Sequence, residues 1–276
     1  MHMHFDFSAS QILWTLTFAA QLVLLVVLLG RDHARRYPWF TAAIALSALR
    51  LMAEVLLVGR MATYPLRAIL FTLSDLSMIA GLLVVVEVAR RAFAGAERSQ
   101  WIVNAAGLLT VAGGVLAMWE PWPVWKQLLM VPAAAPLNMM LVVAAPADSL
   151  MVFLGVDKGD LFVNLLVVQM GLLVVFLGRR FKAPWRSHTQ MIAIGLSTVA
   201  IAWLTVQAAW EIILRTTQVH DRAEHQHLMA LGARLLNADS VVYLAALVWW
   251  IAWLWLDEPG TPQTAAAYTA PEQTES

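Results

Sequence analysis

The residues best placed to do chemistry are Arg50, Glu54 and Asp75, charges set inside otherwise apolar runs. An ionised side chain at the centre of a bilayer costs about 2.5–3.5 kcal/mol on insertion scales, so such groups turn inward and pair. Arg50 and Glu54 are spaced i,i+4 and share one helix face. One cation facing two acids leaves a negative charge over, which must be protonated, met by a cation or wetted. The trio therefore reads either as a proton-, cation- or amine-binding site, or as a clamp between two helices with one acid neutral. Two carboxylates near an arginine also suit acid–base work. No GxSxG or GxGD motif accompanies them, so an enzyme is the least supported class.

The second group is histidine-rich. His2, His4 and Asp6 lie near the start; His220, Asp221, Glu224, His225 and His227 lie in a late loop. Imidazoles and carboxylates suit zinc or copper, and imidazoles also respond to pH. The spacing matches no metal motif, so solvated polar residues are the simpler reading. The third group is tryptophan. Trp39, Trp101, Trp119, Trp122, Trp125 and Trp185 fall at the ends of apolar runs, as an aromatic belt does. Trp249, Trp250, Trp253 and Trp255 crowd the last run and span more than one helix face, giving a candidate lipid or partner surface.

The elements that must position these residues are membrane helices. Mean hydropathy is +0.70, too apolar for a water-soluble domain. A bilayer core takes about 20 mostly apolar residues per helix. The pattern predicts an all-α bundle of seven transmembrane helices at 9–30, 38–59, 65–89, 101–119, 160–178, 189–214 and 238–256. Pro38 and Pro65 suit first-turn positions, where a missing N–H loses nothing. Small residues along the fourth run, from Ala105 to Ala117, predict close packing there. Asn104, Asn164, Gln169, Gln207 and Tyr243 predict interhelical hydrogen bonds, and Glu87 a contact with a loop arginine.

Orientation follows from basic residues in short loops. Arg31, Arg35 and Arg36, then Arg90, Arg91 and Arg98, then Arg179, Arg180, Lys182 and Arg186 crowd the odd loops. The even loops spread Arg60, Arg67, Lys126, Lys158, Arg215, Arg222 and Arg234 over far more residues. The odd loops are expected in the cytoplasm of a bacterial-type inner membrane, with the N-terminus outside and the C-terminus inside. The segment 121–160, broken by Pro132, Pro136 and Pro146, reads as a re-entrant or interfacial element rather than an eighth span. Residues 215–237 read as an amphipathic outer loop lying on the membrane. The two together would cap the outer face of a 1–256 membrane domain, followed by a disordered tail at 257–276.

Absent residues narrow the function. With Lys126, Lys158 and Lys182 all expected in loops, the rhodopsin-like layout lacks a Schiff-base lysine, and retinal is set aside. The histidines fall at or outside helix ends, which argues against helix-ligated haem and against metal hydrolysis within the membrane. Cysteine is absent, removing disulfides and thiolate sites, and the zero net charge gives no case for nucleic-acid binding. What remains is a receptor-like or sensory module binding a small molecule or lipid, which would signal through a partner because the tail is too short for an output domain. The alternatives are a structural subunit of a larger membrane complex, as partner or homo-oligomer, and a proton- or cation-coupled transporter.

Overall fold

A computed structural model describes residues 9–57, 60, 63–92, 100–119, 147–178, 187–217 and 222–256. Among them the chain is all-helical: α1 Ala9–Gly30, α2 His33–Arg36, α3 Pro38–Leu57, α4 Thr63–Ala92, α5 Gln100–Trp119, α6 Ala147–Gly178, α7 His188–Thr216 and α8 Arg222–Trp255. Local chemistry sets several ends. Pro38 opens α3, where its fixed φ fits the first turn. Ser187 caps α7 by accepting the Gln190 N–H at 3.3 Å. Asp32, at φ 57°, turns the chain between α1 and α2 in the left-handed conformation that a short carboxylate side chain tolerates.

Six helices carry an apolar stretch long enough to cross a membrane: Ala9–Gly30, Pro38–Leu57, Thr72–Ala92, Lys158–Val175, His188–Leu214 and Ala223–Trp255. The fourth of the expected seven, now α5, stands where the sequence put it but contributes a shorter apolar stretch, Gly107–Ala117. The chain is thus a multi-pass membrane protein.

Two helices begin much earlier than expected. The fifth apolar run starts at Ala147 rather than at residue 160, so Lys158 is helical and only 4% exposed. It is not a loop lysine, and the claim of lysine-free helices fails there. The last helix starts at Arg222 rather than at residue 238. The segment 222–237 is therefore the first turns of α8, continuous with the span, and not a separate surface element. No proline interrupts it. Its one glycine, Gly232, lies against Trp210 of α7, where a Cβ would come within 3.0 Å of the ring. That contact holds the extension to its neighbour. Residues 121–146 and 257–276 lie outside the described residues, as does most of the expected loop 4 cap.

The packing order is a closed ring, α1–α3–α4–α6–α7–α8 and back to α1, with α5 set against α6. Contact register gives the direction of each helix. Arg50 meets Ser74 while Phe40 meets Glu87, so α3 and α4 are antiparallel. Ser197 meets Val167 across α6 and α7, while Gly171 lies against Ser197 and Ala193. His188 reaches Leu256 and Gly195 lies against Trp250, so α7 and α8 are antiparallel. Two neighbouring pairs are parallel instead. Met78 packs at Gly159 and Val163 at Gly81, so α4 and α6 run the same way. Ser10 bonds Asn237, Gln21 bonds Tyr243 and His33 bonds Leu254, so α1 and α8 do too. On α5, Gly113 faces Gln169 and Leu166 while Gly114 faces Phe162, which makes α5 antiparallel to α6. The glycines of α5 do permit a close approach, as its small-residue content suggests, whereas Gly107 faces open space.

The core is unevenly placed. Leu24, Leu28, Tyr37, Phe40, Ile44, Val84, Val88, Ile192, Leu247, Trp250 and Leu254 form one buried cluster. They sit toward the end of the bundle that carries Arg31, Arg35, Arg36, Arg90 and Arg91. Lipid tails are as apolar as leucine, so tight packing rather than exclusion from water joins the helices. Buried polar groups occur in both halves: Glu87, His188, Thr189 and Gln190 at the arginine end, and Thr17, Gln21, Ser74 and Lys158 away from it.

Candidate functional site

Of the expected trio, the structure brings two residues together. Arg50 Nε lies 3.5 Å from Glu54 Oε1 one turn along α3, with both side chains about half exposed. Arg50 Nη1 also donates to Ser74 Oγ of α4 at 3.3 Å, and Ser74 is buried. Asp75 is half-buried beside Ser74 but forms no ion pair with Arg50. The picture of one cation gripping two acids is therefore replaced by a guanidinium shared between Glu54 and a serine. At mid-membrane depth a half-exposed guanidinium in lipid is expensive, so this face is wetted or covered.

The feature that sequence reasoning missed is Lys158. Gly159, its neighbour, packs against Met78, one turn along α4 from Ser74 and Asp75. Lys158 thus belongs to the same layer as Arg50, Ser74 and Asp75, on the next helix of the ring. Asp160, half-buried, follows two residues later, and Asn164 bonds back to its carbonyl at 2.8 Å. This layer offers cations, carboxylates and a hydroxyl, a donor set for a small polar or zwitterionic molecule. Among the described residues it carries no nucleophile–base pair.

A second buried polar group joins α1, α3 and α8. Gln21, fully buried, donates from Nε2 to Ser47 Oγ at 2.8 Å and to Tyr243 Oη at 3.0 Å. Ser47 Oγ and Tyr243 Oη are 3.3 Å apart. Tyr243 is the interhelical hydrogen bonder its position predicts; Gln21 and Ser47, equally internal, carried no distinguishing signal. The remaining polar candidates are more local. An apolar groove of about 270 Å³ between α4, α5 and α6 has Gln169 and Thr110 among its lining residues.

At the arginine end the polar contacts close helix termini. His33 Nε2 and His188 Nε2 lie 3.1 and 3.0 Å from the carbonyls of Leu254 and Leu256, and their rings meet edge-to-face at 4.8 Å. Imidazoles at the last carbonyls of a helix are a common C-terminal arrangement. Tyr37, fully buried, bonds Thr189 through its hydroxyl at 2.9 Å, with Arg36 and Arg91 at its ring. Glu87 is 7% exposed; it accepts the Phe40 N–H at 3.1 Å and lies 3.9 Å from Arg91. The expected loop-arginine contact is thus an in-helix pair, and the main partner of Glu87 is the start of α3.

The other expected groups separate. His225 and His227 lie on the early turns of α8, and no group of three or more metal-ligating side chains forms among the described residues. His2, His4 and His220 lie outside the described residues. Trp250 leaves the proposed lipid surface altogether: it is 1% exposed and packs edge-on against Phe40 at 5.1 Å. Trp249 and Trp253, 5.5 Å apart, and Trp255, under the Arg31 guanidinium, remain near the surface. Helical spacing separates 250 from its neighbours, since Leu247, Trp250 and Leu254 share one inward face. No family model, curated protein or solved structure matches the chain.

Proposed function

We propose that the chain is a seven-span membrane module, N-terminus outside and C-terminus cytoplasmic, that binds a small polar molecule in its outer half. The seventh span is α5. Its support is directional: α4 and α6 are parallel neighbours, so one crossing must return between them, and α5 runs antiparallel to α6. The orientation rests on the arginines gathered at one end of the ring, where the positive-inside bias places them in the cytoplasm.

This topology makes a sharp prediction. The chain has no cysteine, so single cysteines report cleanly. In intact cells of a bacterial host, Ser10→Cys and Trp119→Cys are expected to react with an impermeant maleimide. Arg35→Cys is expected to react only after permeabilisation. Trp119→Cys protected in intact cells, with Ser10→Cys labelled, would remove α5 from the spans.

The binding reading is carried by the layer that Lys158 joins. An ammonium 4% exposed on α6, level with Arg50, Ser74 and Asp75, gathers cations, a hydroxyl and a carboxylate at one depth of an otherwise apolar ring, where ionisable groups mark functional sites. The arginine-end half is filled with packed side chains, so the polar layer is reached from the other side. That asymmetry suits a receptor-like module. Transport is the second reading, favoured by one observation. The helix directions repeat, with α1, α3 and α4 matched by α6, α7 and α8, and parallel contacts join the two sets. Parallel repeats about an axis along the membrane normal are one transporter plan. A structural-subunit role would use the exposed Trp249 and Trp255 as its contact.

The test is a thermal-shift screen of the full chain in nanodiscs against amino acids, polyamines and small carboxylates. At least one class is expected to raise Tm in the parent chain and to fail in Lys158→Gln and Asp75→Asn. No shift from any class, or an equal shift in both variants, would sink the reading.

A further inference from the structure

The contact between α1 and α8 holds polar atoms that the protein itself does not satisfy. Gln21 Oε1, Thr17 Oγ1, Trp14 Nε1 and Asp239 Oδ1 are each buried without a hydrogen-bond partner. Gln21 is fully buried and Thr17 is 7% exposed. Unpaired groups of this kind cost several kcal/mol apiece in a membrane interior, so native structures fill them. Four on one seam point to something bound there.

Their arrangement is ordered. Trp14, Thr17 and Gln21 follow i, i+3, i+7 spacing and line one stripe of α1. Asp239 and Tyr243 are one turn apart on α8. The two helices are parallel, and Gln21 touches Tyr243. One turn back along both, Thr17 and Asp239 therefore face the same seam. One end of the stripe is the exposed Ser10–Asn237 bond. The other is the Gln21–Ser47–Tyr243 cluster, beyond which Leu24, Leu28 and Leu247 are packed without exposure. At 1.5 Å per residue, Ser10 to Gln21 covers about 16 Å. That is roughly half of a 30 Å hydrocarbon core.

The chemistry of the four atoms selects the occupant. Gln21 Oε1 and a carboxylate oxygen accept, Trp14 Nε1 only donates, and Thr17 Oγ1 does either. A bare metal ion leaves the indole N–H unsatisfied, and an ammonium has no lone pair to offer it. Water both donates and accepts, and buried water takes 2–4 polar partners of this kind. We propose that the α1–α8 seam is a water-filled half-channel, closed at its inner end, with Asp239 as its proton-binding group. A hydronium ion arriving along the waters transfers its proton to the Asp239 carboxylate, leaving neutral water and a neutral carboxylic acid. The charged or titratable groups near this level are Arg50 and Glu54 of α3, paired with each other, and Arg234 and Tyr243 of α8 itself. α1 brings none between Trp14 and Gln21, and on α7 the nearest is Glu211, one turn beyond Gln207 and level with Arg234.

The seam is separate from the Lys158 layer, and the experiments do not depend on any ligand binding there. Infrared difference spectra of the full chain in lipid, between acid and alkaline pH, are expected to show a carboxylic-acid carbonyl band that shifts in D2O. Asp239→Asn should abolish it, and Glu54→Gln should keep it. X-ray radiolysis of the unmodified chain tests the water independently of any variant. Tyr243 is expected to be oxidised several-fold faster than the dry Phe40 and Trp250. A band that survives Asp239→Asn, a band that responds to sodium rather than to pH, or Tyr243 as protected as Trp250 would each overturn the proposal.

Discussion

Replacing Trp250 by alanine is expected to lower stability by about 3–5 kcal/mol, the range for truncating a large buried aromatic. The indole stands at the meeting point of three helices. It packs edge-on against Phe40 of α3 and is covered by α7 at Gly195, where a Cβ would come within 2.6 Å of its Cε2. Nothing can collapse into the space it leaves without pulling α7 and α8 together. The indole N–H, however, has no partner. Trp250→Phe removes that unsatisfied donor and keeps an aromatic ring but leaves a smaller cavity, so it is expected to cost clearly less than alanine. Thermal melts of both variants in the same bilayer mimic check the contrast. Equal losses for alanine and phenylalanine would mean that the ring's packing is not what holds α7 to α8. Gly195→Leu drives a side chain into the same indole and should destabilise by about 1–3 kcal/mol through overpacking.

The helices were legible in the sequence because hydropathy reports the solvent, and each apolar run is a helix in the structure. What hydropathy hides is where a helix begins when its first turns are polar. Lys158 and the segment 222–237 looked like loops for that reason, although no break separates them from the spans. The consequence is large for Lys158, a buried helical lysine that hydropathy alone places in a loop. The Gln21–Ser47–Tyr243 cluster was hidden differently. Isolated neutral polar residues barely lower a hydropathy window, and only the α1–α8 contact, joining the two ends of the chain, brings them together. Arg50 and Glu54 stood out because charge is loud in an apolar run, yet their pair is half exposed. Prominence in sequence tracked charge, whereas burial in the structure tracked the closing of the ring. The same closing gathers the large apolar cluster toward the arginine end, where buried polar groups close helix termini, and leaves Thr17, Gln21, Ser74 and Lys158 in the opposite half. A small polar guest and a file of water both need that division.

Glu87 shows how the arginine-end half is fastened, and Glu87→Ala is expected to cost about 1–3 kcal/mol, the penalty for leaving a buried donor unpaired. Tyr37 precedes Pro38, and its carbonyl accepts the Thr41 N–H, so it occupies the cap position of α3. Its side chain cannot reach back to the first amides as serine or aspartate would. The Glu87 carboxylate does this from α4, taking the Phe40 N–H at 3.1 Å. A negative charge at a helix N-terminus adds a favourable dipole term of about 0.3–1 kcal/mol. Glu87→Gln keeps an acceptor and loses only the charge, so it should forfeit about that smaller amount. Arg91 is more exposed and 3.9 Å away, and Arg91→Ala should change stability by about 1 kcal/mol or less. The expected order of loss is therefore Ala at 87, then Gln at 87, close to Ala at 91. Melting curves of the three variants in one lipid composition test it. If Glu87→Gln falls as far as Glu87→Ala, the charge and not the cap joins α3 to α4. If neither falls, the N-terminus of α3 is satisfied by water, and this end of the bundle is wetter than its packing implies.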